Sequence, residues 1–395
     1  MKAISDLSKA TALRFVLLIG ITSLFADVTY EGARSITGPY LGALGANAAI
    51  VGFVAGFGEL VGYGLRYISG YLVDKTKRYW TIAITGYVIN LLAVPLLALT
   101  GFWPMAAGLI IAERVGKAIR VPARDTMLSH AAHKLGSGWV FGLHEALDKT
   151  GAMLGPLVIA FVIYKTHHYQ TAFASLAIPA FLALIMLFIA FILYPKPQNL
   201  EAKVPELETR GINTTFWLYI LGSGFVAAGY ADFPLIAYHF GKTNVLTLTE
   251  IPISYAFAMG TAGLSALLFG KVYDKNGFGI LVILTVIASF FAPLVFWGGF
   301  SLVYIGVCIW GIGMGANQSL MRAVVANLIS ADKRGSAYGL FNMGFGIFWF
   351  LGSALMGILY DNSINLIVAF SVIAQLVGAV ILFAVMKRIK QGSKT

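Results

Sequence analysis

One feature limits the fold more than any other: apolar runs of about 20 residues recur from one end of the chain to the other. A helix of that length crosses a hydrocarbon core about 30 Å thick. Lipid offers no partner to a backbone N–H or C=O, so such a run must satisfy its own hydrogen bonds as a helix. The runs fall at 13–33, 48–73, 79–99, 103–124, 138–163, 171–193, 214–237, 251–270, 279–299, 301–328, 338–360 and 364–385. The expected fold is an all-α membrane protein of twelve spans in a lipid bilayer. Composition agrees: 58% of the 395 residues are hydrophobic and 11% are charged, against about 25% charged in a soluble chain. The 44 glycines suit close approach of helix backbones in lipid.

The net charge of +11 raises the possibility of a nucleic-acid surface, and its distribution argues against one. With the N-terminus in the cytoplasm, that side collects Lys2, Lys9, Arg14, Lys75, Lys77, Arg78, Arg124, Lys134, Lys196, Lys203, Arg210, Lys271, Lys275, Lys333, Arg334, Lys387, Arg388, Lys390 and Lys394. The opposite side has Lys165 and Lys242, with Arg34 at a helix end. This asymmetry is the positive-inside pattern. It places both termini in the cytoplasm and the protein in the cell membrane. Asp27 and Glu31 interrupt the first run, so it reads as a span and not as a cleaved signal. Cys308, the single cysteine, excludes an internal disulfide and a thiolate metal site and reads as a small buried apolar residue.

Prolines and charges cluster at 194–213, which reads as a solvated cytoplasmic linker. It separates a six-helix bundle at 1–193 from a second at 214–395. The halves look like repeats. Gly70-Tyr-Leu-Val-Asp74-Lys recurs 200 positions later as Gly270-Lys-Val-Tyr-Asp274-Lys. Gly116 with the Arg124-Asp125 region matches Gly315 with the region of Arg322, and Phe141-Gly142-Leu143 matches Tyr338-Gly339-Leu340. Parallel six-span repeats about a membrane-normal axis are a transporter plan.

The loop Gly70-Tyr-Leu-Val-Asp74-Lys-Thr-Lys-Arg78 resembles the signature loop of the major facilitator superfamily, and Gly277 completes a second version after Asp274. Thr76 replaces the usual Gly after the Asp, and Lys271 is atypical in the second copy. The resemblance implies a gating role for Gly70, Asp74, Arg78, Gly270 and Asp274, with Asp125 as a partner for Arg78. Gly142, Gly151, Gly155 and Pro156 resemble the span-5 motif of antiporters in that superfamily, with Ile159 where another Gly is usual. The plain alternative is a kink and close packing. Arg114 stands near the place of a span-4 Arg common in the superfamily, at a shifted spacing.

Charges inside the membrane cost several kcal/mol, about 3 or more each at mid-bilayer, and call for a function or a partner. The basic ones are Arg34, Arg66, Arg114, Lys117, Arg120, Lys149 and Arg322; the acidic ones are Asp27, Glu31, Glu59, Glu113, Glu145, Asp148 and Asp232. Their spacing is helical. Asp27, Glu31 and Arg34 share a face of span 1, and Glu113, Lys117, Arg120 and Arg124 form a stripe on span 4. Glu59, Tyr63 and Arg66 align on span 2, and Glu145, Asp148 and Lys149 cluster on span 5. Polar stripes of this kind face other helices or water. The resemblance implies that spans 1, 4, 7 and 10 line a central cavity, which accommodates the first two stripes, Asp232 and Arg322.

A low-dielectric site favours the neutral form of a carboxyl group and so suits proton exchange near neutral pH. Asp27 and Glu31 lead as proton-coupling residues, followed by Asp148 and Asp232. Permanent structural pairing is the bland alternative, above all for Glu59 with Arg66. Arg34, Glu113, Lys117, Arg120 and Arg322, with Tyr230 and Tyr238 of span 7, are candidates to hold a small-molecule substrate. Alternatively Lys117 and Arg120 neutralise Glu145 and Asp148. His144 and His239 lie near span ends, where solvated side chains are expected. His130, His133, His167 and His168 have no carboxylates at ligand spacing, so no metal site is expected.

These readings converge on a secondary active transporter, proton-coupled and working by alternating access, with no cofactor and as a monomer. The glycine motif of span 5 favours export by antiport. The cations of span 4 favour an alternative, import of an anionic metabolite or metal chelate. An intramembrane enzyme would need a nucleophile elbow or a His-Glu-x-x-His helix, and the sequence contains neither. A sensor would need a sizeable soluble domain, and the longest soluble stretch is the linker.

Overall fold

A computed structural model describes residues 2–195, 214–328 and 334–392. Most of the 194–213 linker lies outside the described residues, as do the side chains of Asp274 and Arg322. Regular structure among the described residues is helical, without strands. The first six spans are α1 (Lys2–Ala43), α2 (Ala48–Thr76), α3 (Tyr79–Leu96), α4 (Trp103–Leu135), α5 (Ser137–Thr166) and the pair α6 (Tyr169–Ser175) with α7 (Ala177–Leu193). The last six are α8 (Thr214–Ala228) with α9 (Phe233–Thr243), α10 (Glu250–Asn276), α11 (Gly279–Ser289) with α12 (Phe291–Phe296), α13 (Phe300–Leu328), α14 (Arg334–Asn362) and α15 (Ile364–Gly392). Ten of these spans are long and apolar enough to cross a membrane, and α13 contributes a shorter apolar stretch, Phe300–Gly315. The remaining span, α4, carries Glu113, Arg114, Lys117, Arg120, Arg124 and Asp125, which its neighbours must accommodate.

The chain forms two compact units: Met1–Arg34 with Gly64–Pro205, and Ser35–Tyr63 with Glu206–Thr395. In the first, Phe15, Ile19, Trp80, Tyr87, Leu91, Met127, Leu128 and Leu187 form one buried core. Glycines bring α3 and α4 together there. A Cβ on Gly116 would sit 2.7 Å from Asn90 Cα, and one on Gly86 would sit 2.8 Å from Arg120 Cβ. This contact fixes where the span-4 cations emerge.

The second unit includes the C-terminal end of α1 and the N-terminal half of α2. A Cβ on Gly38 would lie 2.8 Å from Tyr238 N, one on Gly56 would lie 2.8 Å from Ser353 Cβ, and one on Gly52 would lie 3.0 Å from Gly357 Cα. Asp361, at the end of α14, accepts the N–H groups of Ala48 and Ala49 at 3.2 and 2.9 Å. It thereby satisfies two of the donors that a helix N-terminus leaves open.

The signature loop has one local consequence. α2 closes with Lys77 at φ 55°, its N–H bonded to Val73 O at 2.9 Å. Gly277 stands 200 positions on, also at positive φ, 67°. The first copy therefore places a lysine where the second has the residue best suited to a left-handed backbone.

Candidate functional site

The first unit gathers charges from α1, α4 and α5 around the α3–α4 contact. Asp27 and Glu31 are both buried on α1, as the helical spacing requires. Arg120 of α4 is fully buried. Its Nη2 is 4.0 Å from Asp27 Oδ1, and its guanidinium lies over the Tyr87 ring at 4.4 Å. Its three side-chain nitrogens make no hydrogen bond among the described residues, and neither does Asp27 Oδ1. The pair is held by charge and by the π-face, without the short directional bonds of an optimised ion pair. One turn earlier, Lys117 places Nζ 3.8 Å from the centroid of Tyr30 with Glu31 in electrostatic reach. Arg120 thus faces span 1 and Tyr87, whereas Glu145 takes Lys149 as its partner at 3.6 Å.

Further along α4, Glu113 pairs with Arg114 at 3.3 Å and accepts a bond from Asn90 Nδ2 at 2.8 Å. This arrangement occupies Glu113 within the helix pair. Asp125, the candidate partner of Arg78, is held by its neighbour: Arg124 Nε and Nη2 both reach Asp125 Oδ1 at 2.9 Å. Arg78 is exposed at the start of α3.

A network that the sequence did not reveal joins α1, α3, α4 and α5. Ser23 Oγ lies 3.0 Å from His144 Nε2, 3.3 Å from the Tyr87 hydroxyl and 3.3 Å from Arg124 Nη1. His144 Nδ1 and Arg124 Nη1 both approach Asp148 Oδ2, at 3.4 and 3.6 Å. His144 is buried here, not solvated. Its signal was its position one turn before Asp148 on the same face of the helix.

The glycine motif of α5 lies against the same part of α1. A Cβ on Gly151 would be 2.9 Å from Asp27 Cβ, and one on Gly155 would be 2.8 Å from Gly32 N. Pro156 is buried beside them, while Gly142 has nothing within 4 Å.

In the second unit, span 7 is broken between α8 and α9. Asp232 is the N-cap of α9, with Pro234 next to it in the first turn. Its Oδ2 accepts the Trp349 indole N–H at 3.2 Å. The freed carbonyls find partners: Gly229 O accepts from Ser371 Oγ at 2.6 Å and Ala231 O from Trp310 Nε1 at 2.9 Å. Tyr230 is fully buried, donates to Trp310 O, and packs with Phe291, Trp310 and Trp349. Tyr238 stacks edge-on against Tyr360, whose hydroxyl lies 3.0 Å from buried His239. Asp followed by Pro two residues later was a readable helix start. Hydropathy alone runs straight through it. Among the described residues no group of His, Cys, Asp or Glu could hold a metal ion.

Twelve spans, a broken helix whose backbone is satisfied internally, and charges paired across helices define a polytopic membrane transporter. The model of the Major Facilitator Superfamily matches residues 17–342 and 233–395. The chain is 40% identical over 382 residues to an uncharacterized protein of Mycobacterium tuberculosis, covering 95% of this chain and 93% of the relative. It is 26% identical over 385 residues to an uncharacterized MFS-type transporter of Methanocaldococcus jannaschii, covering 93% and 94%. Among solved structures, the nucleoside transporter NupG superposes with a TM-score of 0.72 at 15% identity, over 95% of this chain and 99% of that one. The chain belongs to the Major Facilitator Superfamily. It is a multi-pass transporter and not an enzyme.

Proposed function

We propose that the chain is a proton-coupled secondary transporter in which Asp27 exchanges the proton opposite Arg120. The observation that carries this reading is their loose pairing: 4.0 Å apart, with every side-chain nitrogen of the buried guanidinium outside hydrogen-bond reach of a partner. A buried pair with excellent geometry would be a structural tie. A loose one lets Asp27 change protonation state and re-pair Arg120 at modest cost. Glu31, beside Lys117, is the second exchanging carboxylate. Asp148 contributes through its own contacts with Arg124 and His144, and Asp232 through its place at the span-7 break.

Alternating access supplies the cycle: two conformations, with protonation biasing the balance between them. Lys117, half-buried on the Tyr30 ring, is the cation best placed to meet a substrate. Arg120 and Glu113 of the same span-4 stripe and Arg34 of span 1 are further candidates to hold it, with Tyr230, Tyr238 and Arg322 from the C-terminal half. Gly70, Asp74, Arg78, Asp125, Gly270 and Asp274 form the cytoplasmic gate, and both termini lie in the cytoplasm of a monomer in the cell membrane. Close packing of Gly151 and Gly155 on α1 beside Asp27 supports export by antiport, because it ties span 5 to the proton carrier. Import of an anionic solute is favoured instead by the accessible Lys117. The likeness to NupG, at 15% identity, bears on the fold and leaves the substrate open.

The test is reconstitution in proteoliposomes with a trapped pH dye. Pools of nucleosides, peptides, organic acids, sugars, cationic drugs and metal chelates are screened for substrate-driven proton flux. The sign of the flux distinguishes symport from antiport. Transport of a solute without any proton movement would overturn the reading.

A further inference from the structure

Three groups converge on the buried Ser23 hydroxyl: His144 Nε2 at 3.0 Å, the Tyr87 hydroxyl at 3.3 Å and Arg124 Nη1 at 3.3 Å. A serine hydroxyl offers one proton and two lone pairs. Arg124 donates in every state, so it takes one lone pair. Its other edge is anchored, with Nε and Nη2 both 2.9 Å from Asp125 Oδ1. One proton and one lone pair of Ser23 remain for His144 and Tyr87. Only two arrangements satisfy both neighbours. In the first, Tyr87 donates to Ser23 and Ser23 donates to Nε2. In the second, Nε2–H donates to Ser23 and Ser23 donates to Tyr87.

The choice between them is set on the other side of the imidazole ring, where His144 Nδ1 lies 3.4 Å from Asp148 Oδ2. A neutral imidazole carries its proton on one nitrogen and accepts on the other. The first arrangement puts the proton on Nδ1, facing an ionised Asp148. The second puts it on Nε2 and leaves Nδ1 to accept from a protonated Asp148. That proton belongs on Oδ2. Asp148 Oδ1 is buried without a hydrogen-bond partner among the described residues, so an O–H there would have nothing to donate to. The direction of the chain and the protonation of Asp148 are locked together.

We propose that Tyr87, Ser23 and His144 are a proton wire through which Asp27 and Asp148 share one proton. This rests on the proton-coupled reading above, with Asp27 as the exchanging carboxylate. Tyr87 is the end that shares Arg120 with Asp27: the guanidinium lies over its ring at 4.4 Å and is 4.0 Å from Asp27 Oδ1. The proton that Asp27 gives up reaches the Tyr87 oxygen through water. The Tyr87 O–H passes its proton to Ser23 Oγ, the Ser23 O–H to His144 Nε2, and the Nδ1–H to Asp148 Oδ2. Each intermediary loses one proton and gains one, and His144 is neutral before and after. Asp27 ends ionised beside Arg120, and Asp148 ends neutral. The reverse sequence refills Asp27.

The charged groups facing Asp148 are Asp27 from α1, Arg120 and Arg124 from α4, and Glu145 on α5 itself, with Glu145 taken up by Lys149. From α3 the chain is met by Tyr87. Arg120 and Arg124 also face His144. With two guanidinium groups beside it, the ring hands the proton on and does not store it. Arg124, by occupying one lone pair of Ser23, is the positioning residue of the wire.

The tautomer of His144 is read without any solute. The full-length protein is labelled with heavy-isotope nitrogen in its histidines and reconstituted in lipid. Solid-state NMR then follows it across about pH 4 to 9, where carboxyl and imidazole groups titrate in proteins. The two neutral tautomers and the imidazolium differ in their ring-nitrogen shifts, and His144→Gln assigns the His144 signals by difference. The expected result is Nδ1–H at the alkaline end and Nε2–H at the acid end, a change that Asp148→Asn abolishes. An imidazolium at acid pH, or one tautomer throughout, would overturn the wire. Tyr87→Phe keeps the ring under Arg120 and removes the hydroxyl. Proton flux driven by the active solute pool of the screen should then fall about a hundredfold relative to solute exchange, as loss of a positioned proton-transfer group does. Ser23→Ala should do the same, and Ser23→Thr should restore the flux. Flux in Tyr87→Phe equal to that of the unaltered protein would overturn the wire alone. Absence of flux in the unaltered protein would instead strike the proton-coupled reading, and the tautomer measurement would still decide whether His144 follows Asp148.

Discussion

Replacing Gly155 with alanine adds a methyl group where α5 meets α1. The new Cβ would press most closely on the Val28 carbonyl oxygen of α1, with Gly32 N 2.8 Å and Val28 C 3.0 Å away. Ordinary contact begins at 3.4 Å, so relief from Gly32 N alone needs 3.4 − 2.8 = 0.6 Å of movement. Both sides of the nearest contact are helix backbone, and neither can rotate away. Overpacking of this kind costs about 1–3 kcal/mol, which is about a fivefold to hundredfold change in an equilibrium. Gly142 of the same motif provides the control. It has nothing within 4 Å, and alanine there should gain up to about 1 kcal/mol of helix propensity. Thermal melting of the purified protein in detergent should fall for Gly155→Ala and hold or rise for Gly142→Ala. Because the strain is applied one turn from Gly151, which packs on Asp27, transport should fall with Gly155→Ala as well. Equal melting of the two variants would refute the packing argument and leave the motif without a structural basis here.

Three other perturbations address separate parts of the structure. Lys77 holds a left-handed backbone at φ 55°, a conformation that costs a non-glycine residue about 1–2 kcal/mol, so Lys77→Gly should raise melting. A fall would mean that the lysine side chain supplies more than the backbone loses. Asp361→Ala removes the acceptor for Ala48 and Ala49 and should cost about 0.5–2 kcal/mol, as lost N-caps do. Asp361→Asn should recover most of that, since only the charge–dipole share of about 0.3–1 kcal/mol is lost; denaturant titration distinguishes the two variants. Asp232→Ala removes the carboxylate at the start of α9 that accepts the Trp349 indole N–H, and should increase the exposure of Trp349 in quenching measurements. Unchanged quenching would show that the break is set by Pro234 alone.

The spans were legible because hydrocarbon thickness fixes a length and lipid forbids unsatisfied backbone, so the apolar runs carry the fold almost unaided. The span-4 stripe was legible for a related reason: Glu113, Lys117, Arg120 and Arg124 recur at helical spacing. What periodicity cannot supply is the partner. It puts Arg120 and Asp27 on polar faces and is silent on whether those faces meet, so pairing of Arg120 with Asp148 was as plausible as the observed approach to Asp27. His144 was hidden by its place near a span end, where burial depends on neighbouring helices. The break at Gly229–Asp232 escaped because hydropathy averages over it, although Asp232 and Pro234 spelled out a helix start. Packing of the end of α1 and the first half of α2 with the second unit was illegible, since it rests on backbone approach at Gly38, Gly52 and Gly56 and leaves no mark on hydrophobicity.

The central claim is that Asp27 exchanges the proton that drives transport. It is tested most directly by comparing two modes of the same Asp27→Asn protein, using whichever solute the flux screen identifies. Exchange of labelled for unlabelled solute across the membrane needs binding and alternating access but no net proton movement. Accumulation driven by an imposed pH gradient needs all three. The account expects exchange to survive and gradient-driven accumulation to vanish, because the amide keeps the shape beside Arg120 and cannot take the proton. Accumulation that persists at the level of the unaltered protein would contradict it and remove Asp27 from the coupling.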